Sequence, residues 1–250
     1  MEIPQKIEVL KETPDWIAVY KPCRLLVHKS RLFQEETNCS KLLQKQIGKY
    51  LHPIHRLDRP TSGVLLFGKS RQVAGKFSKL FISRSIRKTY MAVVRGHLMG
   101  SGMIDKPLRP IPEKAYRSAL TRYFCEGTAE ASWAAGRYAQ SRYSLLRLEP
   151  MTGRFHQIRK HMAFIAHPIV GDIVYGDGPH NRAFREQLGV SSMLLTAKRL
   201  EFSDPLTGAT IDLVAPWNDD WRKVLEKWGW PSDFENLMDV SSSLSSVNRT

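Results

Sequence analysis

The stretch HRLDRPTSGVLLFGKS, residues 55–70, decides most of the fold. Its second half, Gly63 to Gly68, is an unbroken apolar run between two glycines, the pattern of a buried central strand. Ser70 follows as a helix N-cap, because Val73, Ala74, Phe77, Leu80 and Phe81 recur at helical spacing and form a core-facing stripe. The first half is a turn that sets His55, Arg56 and Arg59 around one carboxylate, Asp58. Polar residues of this kind, held at the mouth of a rigid buried strand, are placed where chemistry is usually done.

Outward from this stretch the chain alternates irregularly between strands and a few helices. Upstream, 7–10, 16–20 and 25–28 read as short strands punctuated by prolines, and 39–49 as a short helix closed by His52-Pro53. Downstream, 88–95, 119–125, 142–149, 193–202 and 210–215 read as strands, with the last two joined by the turn Asp204-Pro-Leu-Thr-Gly208. Residues 153–166 and 218–228 carry helical periodicity, the latter with Trp221, Leu225 and Trp228 on one side. Residues 100–119, rich in Pro, Lys and Arg, read as a basic surface insertion. The sum is an α+β chain and not a doubly wound βαβ array. A single domain is expected over 1–230, with a Ser-rich disordered tail over 231–250.

The 250 residues hold 38 Lys+Arg against 24 Asp+Glu, a formal net charge of +14, and 42% hydrophobic residues suffice for a core. So large an excess of cations suits a polyanion, either nucleic acid or an anionic membrane face, with a basic but inert surface as the alternative. Cys23, Cys39 and Cys125 are odd in number and widely spaced, with no CxxC pair. They imply neither a disulfide framework nor a zinc ribbon, and a reducing compartment is expected. No apolar leader segment opens the chain, and no apolar run is long enough to span a bilayer.

Two clusters are candidates for chemistry. Asp58, between Arg56 and Arg59, is kept ionised by its neighbours and can be a nucleophile, a general base, or a turn residue in a salt bridge. In TGRFHQIRKH, residues 152–161, the cations Arg154, Arg159, Lys160 and His161 crowd the first half of the expected helix, where the macrodipole disfavours them. Placement against the local preference suits a bound phosphate, with a solvated charged face as the alternative. His52, His55, His156, His161 and His167 do not make a metal-dependent nuclease. Pro53 breaks the first pair, His156 and His161 diverge at i, i+5 on a helix, and no acidic set accompanies them.

Three segments in order, residues 55–70, KTYMAVVRG at 88–96 and TGRFHQIRKHMAFIAHPIVGD at 152–172, closely resemble the signature motifs of the RluA-type pseudouridine synthases. The opening residues 7–28, with Lys21-Pro22, and the later strand with its DPLTG turn resemble that family as well. The resemblance implies the pseudouridine synthase fold, a mixed, largely antiparallel sheet with flanking helices and loops. It implies an isomerase that breaks the C1′–N1 bond of a uridine and re-forms a C1′–C5 bond, with no cofactor and no metal. Asp58 would be the essential aspartate, Tyr90 the active-site tyrosine, and Arg159 the basic residue paired with the aspartate.

The same resemblance implies an RNA partner, most of all tRNA at uracil-65, with ribosomal RNA as the alternative target. It implies a monomer acting in the cytoplasm, with no protein partner and no membrane. A stacked uridine cannot reach Asp58, so the base must be flipped out, and contacts to phosphates and splayed bases must supply the energy. Arg56, His55, Arg154, His156, Arg109 and Arg117 are the RNA-binding candidates, with Arg24, Lys29, Arg31 and Lys106 as further cations. A non-catalytic RNA-binding module on the same fold would keep these cations but would not need Asp58, Tyr90 and Arg159.

Overall fold

A computed structural model describes residues 5–28, 37–109, 115–136 and 139–233. The elements, in chain order, are β1 (Glu8–Glu12), β2 (Trp16–Lys21), α1 (Cys39–Ile47), β3 (His52–Pro53), β4 (Ser62–Gly68), α2 (Arg71–Ile82) and β5 (Arg87–Arg95). These are followed by β6 (Ser101–Asp105), β7 (Leu120–Ala131), β8 (Ser141–Pro150), α3 (Gln157–Phe164), α4 (Gly178–Leu188), β9 (Leu195–Ser203), β10 (Thr210–Val214) and α5 (Asp219–Lys227). The architecture is α+β, as the sequence implied. Among the described residues no helix is long and apolar enough to cross a membrane.

The contacts divide the chain into two compact units, Met1–Tyr90 with Leu195–Pro216, and Met91–Leu194 with Trp217–Thr250. In the first unit the strands run in the order β1-β2-β4-β9, with β10 beside β9 and β3 beside β4. All of these pairings are antiparallel except β4 with β9. Strand β4 is buried along its whole length. One core face packs Trp16 and Phe77 edge to face on Phe202, at 6.0 and 5.6 Å, with Trp16 and Phe77 tilted against each other at 5.8 Å. The Trp16 indole N–H donates to Asp204 Oδ2 at 2.8 Å, so the DPLTG turn is tied directly into that core. Ser70 caps α2 by accepting the Val73 N–H.

Gly63 permits the one parallel contact at the head of β4. At φ 121° it lies opposite Ala197, whose carbonyl oxygen would stand 2.2 Å from an added Cβ. No other residue fits there.

In the second unit β6, β7 and β8 form an antiparallel array. Its core gathers Tyr143, Phe184, Trp217, Trp221 and Trp230 around Met91, Val93 and Leu145. Trp221 and Leu225 of α5 are buried in it and Trp228 packs against it, as their spacing predicted.

Several expectations change. Residues 25–28 form no strand: Leu25 and Val27 are buried there as single anchors of a loop. The helix ends at Gly48 in the left-handed conformation, and His52-Pro53, rather than closing it, is a short strand paired with β4. The stretch expected to be an insertion contains β6, paired with β7 and burying Ile104. Helix α4 is an addition to the expected helices: its buried side chains, His180, Ala183 and Phe184, stand at helical spacing, but only two of them are apolar. The residues of the expected tail beyond 233 lie outside the described part of the chain.

Candidate active site

Asp58 lies in the turn between β3 and β4. The turn is anchored by buried Leu57, Thr61 and Ser62, the Thr61 N–H donates to the Asp58 carbonyl at 3.0 Å, and Asp58 itself is partly buried. Beneath it sits Lys21, fully buried, whose Nζ donates to the carbonyls of Pro22 and Leu25 at 2.8 Å and of Arg59 at 3.3 Å. Arg59 returns the tie by donating Nε to the Arg24 carbonyl. Burial drives the Lys21 ammonium down to about 8, while Cys39, Cys23 and Asp58 pull the other way. One buried cation therefore laces the loop after β2 to the turn carrying Asp58, a role its place in the sequence did not disclose.

Tyr90, at the end of the first unit, is in electrostatic reach of that carboxylate. Burial first, and the negative charge of Asp58 second, push its phenol upward, so the hydroxyl stays protonated at neutral pH. Lys88 stands two residues earlier on the same face of β5, and burial together with Arg84 brings it down to about 8.

Arg56 is exposed beside Asp58, where a cation can meet RNA. His55 is built differently. Its Nε2 accepts the Leu66 N–H at 3.1 Å, and its ring stacks on Phe81 at 4.6 Å. Burial, with Lys88 nearby, pushes it down to about 3. It is a neutral acceptor that fixes the turn, and it offers no positive charge to a phosphate.

The second unit carries the other candidates. Helix α3 begins at Gln157, preceded by His156 in the left-handed conformation, so Arg154 lies ahead of the helix and not within it. His161 falls in the last turn, buried and pushed down by that burial; its two nitrogens face the Thr121 hydroxyl and the Lys106 carbonyl. The expected crowd of cations near the helix start thus reduces to Arg159 and Lys160. Arg159 is buried and grips Asp172 with two parallel bonds, Nε to Oδ2 at 2.6 Å and Nη2 to Oδ1 at 2.8 Å. Burial alone would raise the Asp172 carboxyl, but Arg159 and the N–H groups of Tyr175 and Val174 outweigh it and hold the group low. Asp172 was legible only as the end of a motif; nothing local announced it as the partner of Arg159.

Buried Gln157 joins this helix to the basic stretch before β7. Its carbonyl accepts from the Thr152 hydroxyl at 2.6 Å and the Arg154 N–H, and its amide donates to the Leu120 carbonyl and the Thr121 hydroxyl. Arg154 Nε donates to the Ser118 carbonyl at 3.1 Å. Leu108 and Arg117 exchange both backbone bonds at 2.9 Å, pinning the base of a loop whose Arg109, Tyr116 and Arg117 are exposed. Its residues 110–114 lie outside the described chain, as do Lys29 and Arg31; Arg24 is exposed. His156 Nδ1 meets the Tyr175 hydroxyl at 3.2 Å.

The histidines weighed as metal ligands each have a separate engagement. His52 meets Tyr50 edge to face, and His167 Nδ1 lies 2.8 Å from the Arg95 carbonyl.

Comparison with known proteins bears on this geometry. Residues 15–164 match the family model described as RNA pseudouridylate synthase. The chain is 41% identical over 235 residues to the tRNA pseudouridine synthase C of Pasteurella multocida, covering 90% of this chain and 97% of that one. With the tRNA pseudouridine synthase C of Haemophilus influenzae the identity is 40%, over 90% and 98% of the two chains. Among solved structures, Human RNA Pseudouridylate Synthase Domain Containing 1 has the same fold, with a TM-score of 0.67 at 24% identity over 87% of this chain and 86% of that one.

Proposed function

The chain belongs to the RNA pseudouridylate synthase family, and from that premise we propose that it isomerises one uridine of a tRNA, uracil-65, with Asp58, Tyr90 and Arg159 as its catalytic residues. The observation that carries the assignment is the pairing of an ionisable carboxylate with a protonated phenol. Asp58 stands on a turn laced down by Lys21, and its charge is felt by Tyr90.

The Asp58 carboxylate acts on the ribose, by adding to C1′ or by removing a sugar proton, and in either case the uracil departs as an anion. Tyr90 offers a flat ring and an O–H donor to that uracil while it turns. Once Asp58 gives up its negative charge to the sugar, one of the two influences raising the Tyr90 phenol is gone. The phenol is then a better proton donor at the moment the detached base needs one. Arg159 is the third proposed catalytic residue; its Nε and Nη2 are held by Asp172, so its guanidinium fork points in a set direction.

Arg56, Arg109, Arg117 and Arg154 take the phosphates; His55 and His156 support the loops around them. Residues 1–230 are read as one catalytic domain. The protein works as a monomer in the cytoplasm, without cofactor or metal, and without a second protein. The test is to map pseudouridine across total RNA from cells with and without this protein. Loss of a single tRNA pseudouridine, at position 65, is expected in cells without the protein. Loss confined to ribosomal RNA would overturn the proposed substrate, and no loss anywhere would overturn the activity.

A further inference from the structure

Helix α2 ends in a left-handed cap. The Ser83 N–H donates to the Lys79 carbonyl at 2.8 Å, the Arg84 N–H to that of Phe81 at 3.4 Å, and the Ser85 N–H to that of Leu80 at 2.9 Å, so these carbonyls at the helix end are taken. The residue that turns the chain is Arg84, at φ 61°, a position that favours glycine because a Cβ there crowds the backbone. Arg84 is exposed, and among the described residues its guanidinium pairs with no carboxylate. A cation suits the negative end of a helix, but Lys79 in the last turn already supplies one without a left-handed backbone. The fold by itself gives no reason for an arginine at this point.

The cap lies beside the turn that carries Asp58, in the same compact unit. Phe81, three residues before Arg84, stacks on His55 at 4.6 Å, and His55 stands three residues before Asp58. Past the cap the chain enters β5, where side chains alternate between faces. Arg87 turns one way, toward Glu201 at 3.9 Å, and Lys88 the other way, with Tyr90. Burial first, and the Arg84 charge second, bring the Lys88 ammonium down to about 8. His55, within reach of the same lysine, is neutral and offsets nothing. Two cations are thus held near one another beside the proposed catalytic groups, a repulsion that an anion between them relieves.

We propose that Arg84 and Lys88 clamp one phosphodiester of the bound RNA, close to the target uridine, and hold the backbone while Asp58 and Tyr90 act on the extruded nucleoside. The clamp rests on the RNA-modifying function proposed above and adds to it a phosphate site on the Asp58 unit. A phosphate has acceptor oxygens for both side chains, with Arg84 offering a planar fork and Lys88 a point charge.

The test uses the whole protein, a tRNA stem-loop containing the target uridine, and three variants. Arg84→Gly suits the left-handed backbone and should unfold no lower than wild type, so that a binding defect is not a folding defect. It should bind the stem-loop about 10-fold more weakly at about 0.1 M salt, and its slope of log affinity against log salt should be smaller by about 1. Lys88→Gln should behave alike, while Arg84→Lys, which keeps the charge, should keep the slope. The phosphate is located by replacing the linkages around the uridine, one at a time, with uncharged methylphosphonates. One replacement should weaken wild type by the same factor and leave Arg84→Gly unaffected. Wild-type affinity and slope in Arg84→Gly would overturn the clamp, as would equal sensitivity of variant and wild type to every replacement. Conversion of the uridine is followed alongside: a wild type that converts none would overturn the underlying function, whereas a wild type that converts it while Arg84→Gly binds equally well would overturn the clamp alone.

Discussion

Replacing Asp172 by Asn keeps the shape of the buried pair and removes its charge. The new amide can still accept the Val174 and Tyr175 N–H groups through its oxygen, but its nitrogen then faces Arg159 Nε, donor against donor, where the distance is now 2.6 Å. Arg159 is 3% exposed and water does not replace the lost acceptor. Leaving one member of a buried ion pair without its partner costs about 3–5 kcal/mol. For a chain of this size that lowers Tm by roughly 6–20 °C. Thermal unfolding followed by circular dichroism measures it.

The pH dependence supplies a sharper check. The folded Asp172 carboxyl is held below its ordinary value, so its stabilisation is complete above the unfolded carboxyl range and is lost as pH falls through the lowered folded value. The gap between wild type and Asp172→Asn should therefore be widest at neutral pH and should shrink below about pH 4. A variant within about 1 kcal/mol of wild type at pH 7, or a gap unchanged in acid, would refute the reasoning.

Other outcomes follow from the same structure. Lys21→Met removes a buried charge but leaves the carbonyls of Pro22, Leu25 and Arg59 without their donor, and a net loss of about 1–3 kcal/mol is expected in urea unfolding. Wild type should also gain stability as pH rises from about 8 toward the ordinary lysine value, because burial disfavours the charged form; Lys21→Met should lack that part of the rise. Gly63→Ala should lose about 2–6 kcal/mol, since its Cβ would meet the Ala197 backbone at 2.2 Å; an unchanged urea midpoint would contradict the β4–β9 contact. RNA affinity should fall by roughly 10³–10⁵ between 50 and 200 mM salt if 6–10 phosphates are held, and Arg117→Ala should reduce the salt slope by about 1.

What was legible in the sequence was what local patterns encode. The glycine-bounded run of β4, the Ser70 cap and the stripe on α2 each follow from spacing alone, and the structure has them in place. Signals of long range were missed. Asp172 meets Arg159 only after α3 has ended and the chain has doubled back. Lys21 looked like a turn marker because its three carbonyl partners come from loops that only the fold brings together. His55 looked like a cation because nothing local shows that the Leu66 N–H needs its ring nitrogen as acceptor. Helix α4 escaped because its buried stripe is short and begins with a polar side chain, His180, before Ala183 and Phe184.

The central claim is that Asp58 does the chemistry. The most direct measurement is tritium release from tRNA whose uridines are tritiated at C5, with no cofactor added, for wild type and Asp58→Asn, alongside RNA binding by both. Wild type should release tritium from one site while Asp58→Asn binds equally well and releases none; release by Asp58→Asn at the wild-type rate would contradict the account.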